Sequence, residues 1–346
     1  MKRPKQRKHL IVVGLLFLVS LYLLFQKTPW QEVAQQITQA RGWLIGLAVT
    51  TMGLFFLCEA ISLKQLFAHF RYRISLKRTF GYALVDFYYS GITPGASGGQ
   101  PAQIYYMSRD RIEPGIASVS LLCFNLCYHI SALLIGGFGM IYAHSLLQGH
   151  ALIRWLLIYG LLAQAGLIAL FSALLIDELL VHRLLHQLLS LLHRIRLVRR
   201  LEPWQQKLDN QLSEFQRASG LLRQAPGLIL KTLSHTTIHL ILFYSIPYLL
   251  LRAFHYPVGY LELLTLQACL QLAMESLPVP GGIGITEASF LSLYSSLIGG
   301  EKIVGILILS RLISYGLGLI SGGVSSLILI ARPLMLRRIG LRPTRS

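Results

Sequence analysis

Charge is what this chain has least of. Of its 346 residues only 14 are acidic, and charged residues together make up 13%. Soluble domains carry about twice that share. With hydrophobic residues at 54%, a soluble enzyme with one large core is excluded. Cysteine is scarce as well: Cys58, Cys123, Cys127 and Cys269, each inside an apolar run. Cys123 and Cys127 share a helix face, but no further sulfur or histidine ligand lies near, so they read as packing residues. His235 and His239 share a face too, and two ligands do not make a metal site. No metal and no cofactor is expected. A basic-aromatic module is also missing, so the net charge of +18 does not point to nucleic acid. After the first apolar run, Leu10–Phe25, no small-x-small cleavage pattern follows, which favours an uncleaved anchor over a signal peptide.

What is present is a series of apolar runs long enough to cross a bilayer. Six spans are expected: Leu10–Phe25, Trp43–Ser62, Ile116–Tyr142, Leu152–Ile176, Leu228–Phe254 and Ile303–Ile330. Regions 80–108 and 260–298 differ, each holding two shorter apolar pieces broken by proline and glycine. Lysine and arginine orient the chain. Basic residues crowd the N-terminus, the 64–79 loop, the 177–227 segment and the tail, where Arg332, Arg337, Arg338, Arg342 and Arg345 fall. The loops at 143–151, 255–259 and 299–302 hold few. All basic loops fall on one side, taken as the cytoplasm, with both termini there. Parity then makes region 80–108 a hairpin entered from inside and region 260–298 a hairpin entered from outside, re-entrant or fully crossing.

The expected architecture is an all-α, multi-pass protein of the cytoplasmic (inner) membrane, with six spans and two broken hairpins arranged as an inverted repeat. Its parts are an anchor span and loop (1–42), repeat unit one (43–142), a connecting span (143–176), a basic amphipathic linker (177–227), repeat unit two (228–332) and a basic tail (333–346). The linker sequence "ELLVHRLLHQLLSLLHRIRLVRR" fits a helix lying on an anionic surface or one packed on the bundle. Paired broken segments in two halves point to a transporter-type site near the midplane.

Residues 93–103, "TPGASGGQPAQ", contain a formal G-x-S-x-G match. A nucleophile elbow needs a strand before the serine, and apolar helices flank this one. The two hairpin tips share P-G-x-x-G: Pro94, Gly95, Ser97 and Gly98 in one, Pro280, Gly281, Gly282 and Gly284 in the other, with Gly99 following the first. Ser97 corresponds to Ile283, so the backbone behaviour repeats and the hydroxyl does not. Glycine permits close approach and proline breaks the helix. Such tips leave helix N-terminal N–H groups free to meet anions. A rhomboid-like protease serine, served by His129, His235 or His239, is the enzymatic alternative.

The stretches "GITPGASGGQPAQIYYMSRD", "SLPVPGGIGITEASF" and "SRLISYGLGLISGG" resemble the lysylphosphatidylglycerol synthase transmembrane-region family. The resemblance covers roughly residues 10–332. It implies a lipid-handling, flippase-like membrane domain, without the lysyl-transfer activity that belongs to a separate soluble domain. Gln100 and Gln103 stand where family members often carry an acid and an arginine, which puts the substrate's charge preference in doubt.

Ionisable groups at membrane depth cost roughly 2.5–3.5 kcal/mol each on insertion scales and are functional candidates by default. Here they are Glu59, Asp86, Glu275, Glu287 and Arg311. Arg311 is expected to pair with Glu287 or Glu275 and to clamp a phosphate, which its planar fork suits. The expected function is translocation or binding of a phospholipid or lipid-linked headgroup in a central polar cavity between the tips, with no enzymatic activity. The alternatives are an intramembrane enzyme or a scaffold for lipid-synthesis enzymes. Membrane phospholipids are the expected partners; a further copy of the chain or a lipid-synthesis enzyme is a candidate protein partner.

Overall fold

The computed structural model describes residues 31, 37–142, 151–177, 180–183, 187, 190, 202–275, 284–298 and 303–338. Their regular structure is helical throughout. In chain order the helices are α1 (Gly42–His69), α2 (Leu76–Gly91), α3 (Gly99–Arg109), α4 (Pro114–Tyr142), α5 (Ala151–Ile176), α6 (Glu202–Arg223), α7 (Pro226–Ala253), α8 (Tyr260–Glu275), α9 (Ile285–Ile298), α10 (Ile303–Arg311) and α11 (Leu317–Arg338). A single turn of π-helix, Leu312–Gly316, joins α10 to α11.

Among the described residues five helices are long and apolar enough to cross a membrane: α1, α4, α5, α7 and the run Ile303–Leu329. They coincide with five of the six expected spans; Leu10–Phe25 lies outside the described residues. The broken regions are helical pairs of a different scale. Their arms have 16 and 11 residues (α2, α3) and 16 and 14 residues (α8, α9). At 1.5 Å per residue the longest is about 24 Å, short of the ~30 Å hydrocarbon core.

Two long helices end alike. After α1 the chain reads Phe70-Arg71-Tyr72, and after α7 it reads Phe254-His255-Tyr256. Arg71 and His255 both take the left-handed conformation, with φ of 64° and 68°. The next N–H reaches back in each case, Tyr72 to Phe67 at 2.9 Å and Tyr256 to Leu251 at 3.0 Å. This is a Schellman-type stop built without glycine. Each stop leads, at the same spacing, into a 16-residue arm, α2 or α8.

The packing follows the same pairing. α1 lies along α7, where the Phe55 and His239 rings stack at 3.7 Å between centroids. The His239 Nδ1–H donates to the Phe55 carbonyl at 2.8 Å. α2 packs on α11, and α8 packs on α4 and α5. Both contacts are backbone-close. A Cβ at Gly322 would fall 2.3 Å from the Leu84 oxygen, and one at Gly160 would fall 2.4 Å from the Leu272 oxygen. Between helices in lipid, where apolar burial gives no drive, such close approach is what holds them together. In the linker, α6 docks on α4, and the Gly115 N–H donates to Gln211 Oε1 at 3.2 Å.

Candidate functional site

The first tip is a tight, self-bonded turn. Gly95 has φ 59° and Ala96 has φ 53°. Thr93 Oγ1 donates to the Tyr89 carbonyl at 2.7 Å and accepts from the Gly98 N–H at 2.8 Å. Ser97 Oγ donates to the Pro94 carbonyl at 2.9 Å. Pro94 through Ser97 are exposed. Gly99 is buried: a Cβ there would lie 2.3 Å from Asp86 Oδ1 and 2.9 Å from the Asp86 carbonyl. The missing side chain lets the N-terminus of α3 seat directly on Asp86, a placement the helix dipole favours. Of the second tip, Gly284 is described; Pro280, Gly281 and Gly282 lie outside the described residues.

Gly284 is exposed with φ 89° and starts α9. Its N–H donates to Glu287 Oε2 at 2.5 Å. A glutamate three residues into a helix reaching back to the first N–H is half of a capping box. The other oxygen, Oε1, lies 2.7 Å from Arg311 Nε. That contact is an ion pair without an aligned hydrogen bond. Buried Nε and Nη2 of Arg311 have no hydrogen-bond partner among the described residues. The guanidinium is thus neutralised by charge and still has donors to give. Arg311 lines a cavity of about 40 Å³ together with Gln267, Gln271, Thr286, Ser310 and Ser314 among others, room for one to a few waters or a small polar group. Phe243 and Pro247 line it too. Pro247 sits inside α7 and has no N–H for the Phe243 carbonyl, so a polar backbone group is left over there.

The π turn begins directly after Arg311. Such turns insert a residue and re-aim the side chains on either side. Tyr315, one turn on, lies under the guanidinium, with its ring centroid 5.9 Å from Arg311 Cζ. Its hydroxyl donates to the Gly91 carbonyl at 2.8 Å. One tyrosine therefore spans from Arg311 to the last residue of α2, three residues before the Pro94 tip.

The other carboxylates sit elsewhere. Glu59 is buried and accepts from Gln103 Nε2 at 2.8 Å. Gln103 also donates to the Tyr82 carbonyl at 3.2 Å and is 1% exposed, so its amide N–H groups are engaged between α1 and α2. Gln100 is half-buried on the same helix. Glu275 ends α8 and accepts from the Tyr128 hydroxyl and from Gln164 Nε2, the latter at 3.0 Å. Of the two partners expected for Arg311, Glu287 is the one in contact. The three histidines weighed as partners for Ser97 have other neighbours. His129 bonds Gln164 and His239 bonds Phe55, while His235 Nδ1 has no hydrogen-bond partner among the described residues. None of the described hydrogen bonds joins a histidine to Ser97. Among the described residues no three His, Cys, Asp or Glu side chains gather as a metal site.

Sequence reasoning did not find Gln164, Tyr128 or Tyr315. The contacts of Tyr128 and Gln164 with Glu275 and of Tyr315 with Gly91 each bridge more than a hundred residues, so no local pattern marks them. The repeated Phe-basic-Tyr stop was missed as well, although its two copies stand in the sequence.

Fold and site together define an all-helical, multi-pass membrane protein whose buried charges gather beside broken helices. Residues 10–322 match the family described as the lysylphosphatidylglycerol synthase TM region, and the chain belongs to that family. A relative from Archaeoglobus fulgidus, described as a UPF0104 membrane protein, is 22% identical over 329 residues. The match covers 91% of this chain and 95% of the relative.

Proposed function

We propose that this protein binds the phosphate of a phospholipid or lipid-linked headgroup at Arg311 and carries it across the cytoplasmic membrane. One observation carries the reading: a buried guanidinium, charge-balanced by Glu287, has N–H donors without a hydrogen-bond partner among the described residues, and its side chain lines a small cavity with polar groups in its wall. Buried donors without acceptors cost about 1–3 kcal/mol each, more when charged. A transient anionic ligand removes that cost while it is bound. The fork of arginine matches phosphate oxygens two at a time. The Gly284 end of α9 is tied to Arg311 through the two oxygens of Glu287.

The carrier part of the reading rests on an inverted repeat. The Phe-basic-Tyr stops, the paired 16-residue arms and the reciprocal packing of α2 on α11 and α8 on α4 all support it. The clasps support it as well. Tyr315 of the last span bonds the final residue of α2, and Tyr128 of α4 bonds the final residue of α8. Arms too short to cross favour two re-entrant hairpins, one from each side. The basic loops favour both termini inside. Translocators with such repeats alternate by rocking one half against the other around a fixed site.

The test is reconstitution of the full chain in proteoliposomes with headgroup-labelled phospholipid analogues in one leaflet. Protein-dependent loss of leaflet asymmetry is expected, slowed in Arg311→Lys. No transbilayer movement and no binding of any phosphate-bearing lipid by the parent protein would overturn the reading.

A further inference from the structure

Glu275 is the other membrane-depth carboxylate with an elaborate setting, and the Arg311 site does not use it. Three donors converge on it: the Tyr128 hydroxyl from α4, Gln164 Nε2 from α5 at 3.0 Å, and Gln271 Nε2 from its own helix at 3.5 Å. Gln164 is in turn oriented by His129, whose Nδ1–H donates to its Oε1 at 2.5 Å. No lysine or arginine pairs with Glu275 among the described ion pairs. The titratable groups facing it are Tyr128 and His129 on α4 and Tyr244 on α7, with Asp86 of α2 beyond Tyr128 and Cys269 on its own helix beside Tyr244.

The equivalent clasp shows that no carboxylate is needed to hold a hairpin arm. Tyr315 fastens the end of α2 by bonding the backbone carbonyl of Gly91. At the end of α8 the same task falls to an ionisable side chain, at a cost of roughly 2.5–3.5 kcal/mol on insertion scales if it is charged at membrane depth. A structural role alone leaves that cost unexplained.

The chemistry of the donor set suggests what the carboxylate is for. An ionised carboxylate is acceptor-only, with about four lone-pair sites, and three donors satisfy it. Protonation turns one of those acceptor sites into a donor. The proton fits the free site on Oε2, so all three donors keep an acceptor, but they now meet a neutral carboxyl instead of an anion; hydrogen bonds that lose their charge assistance drop to roughly half their strength, and the clasp weakens. Gln271, one of the three, also lines the Arg311 cavity, so a change at Glu275 reaches the proposed headgroup site through one side chain.

We propose that Glu275 is a proton-binding site, and that taking up a proton releases the α8 arm of the second hairpin from α4 and α5. That this proton is coupled to headgroup movement rests on the translocator reading above; the proton-dependent release does not.

The experiment uses the full chain in lipid nanodiscs. Hydrogen–deuterium exchange is followed across residues 260–275 as pH is lowered, after correction for the intrinsic rate. Infrared difference spectra record the protonated carboxyl band in parallel. Exchange in the parent is expected to rise several-fold together with the carboxyl band. Glu275→Gln is expected to remove that band and to hold exchange high at every pH. Tyr128→Phe removes one donor from the ionised form, so its transition is expected at higher pH, and it covers the case in which Glu275→Gln does not fold. Exchange in 260–275 that ignores pH in the parent, or a Glu275→Gln protein with the parent's pH response, would overturn the proposal. An intact pH response without lipid movement in the proteoliposomes would sink the translocator reading and leave the proton site standing.

Discussion

Arg311→Lys keeps the charge and removes the fork, which makes it the most informative single change. In the parent, Glu287 Oε1 lies 2.7 Å from Nε, and Nη2 is buried without a partner. A lysine ammonium can hold the Glu287 charge but cannot present two parallel N–H bonds to a phosphate. One charge-assisted hydrogen bond is worth about 1.5–3 kcal/mol, so headgroup affinity is expected to fall by about 10- to 100-fold. Thermal stability should change far less, because the ion pair survives. Arg311→Gln behaves differently. Removing one partner of a buried pair strands the other, at about 3–5 kcal/mol. Adding Glu287→Gln should recover much of that loss, since a stranded charge is worse than no pair. The assays are lipid-analogue binding and thermal unfolding of the purified protein in one detergent. An Arg311→Lys protein with the parent's affinity would refute the fork argument. Additive losses in the Arg311→Gln, Glu287→Gln cycle would refute the pairing argument.

Ser97→Ala is expected to keep most activity, because the hydroxyl only bonds its own turn at Pro94; active-site serine labelling of the parent with an inert Ser97→Ala protein would refute this. Gly95→Val should be lost or severely impaired, since φ 59° is strained for a β-branched residue; normal yield and activity would count against the tip's role. Gly322→Leu should prevent folding, because its Cβ meets the Leu84 carbonyl at 2.3 Å, as measured by monodisperse yield. Outside the membrane, burial and then the neighbouring Glu214 raise the Glu113 carboxyl above its ordinary range. A raised acid favours the folded arrangement when protonated, so docking of α6 on α4 should weaken as pH rises through that range. Exchange across 202–223 should show this, and Glu214→Gln should reduce it without abolishing it, since burial remains; an unchanged pH profile in Glu214→Gln would refute the pairing.

Hydropathy made the spans legible, because a bilayer-crossing helix must be apolar over about 20 residues wherever its neighbours lie. Arg311 was legible for the complementary reason: a charge inside an apolar run must find a partner. The partner was less so, since both Glu287 and Glu275 satisfied the sequence argument. Only the three-dimensional path of the chain put Glu275 under Tyr128 and Gln164 instead. The π turn after Arg311 left no mark, because Leu312-Ile313-Ser314-Tyr315-Gly316 reads as ordinary helix. Gln103 could be read as a headgroup ligand on its type and position. Burial against Glu59 was invisible until α1 and α3 were placed side by side.

The two clasps bear on how a symmetric scaffold acquires a direction. On the proposed reading, each half can adopt the other's conformation, and two chemically equal clasps would leave the inward- and outward-facing states nearly equal in energy. The clasps here are unequal: Tyr315 meets a backbone carbonyl, which pH does not touch, and Tyr128 meets a carboxylate, which pH does. One titrating group changes the balance between two states by at most about 1.4 kcal/mol per pH unit, a factor of ten in population. A transmembrane pH difference of one unit acting through Glu275 can therefore bias the states tenfold and no more. A steeper pH dependence in the translocation rate would require a second titrating carboxylate, and Asp86, seated under Gly99 at the first tip, is the group to replace first. If Asp86→Asn left such a steep dependence unchanged, the coupling would have to run through Glu59 or outside the two hairpins altogether.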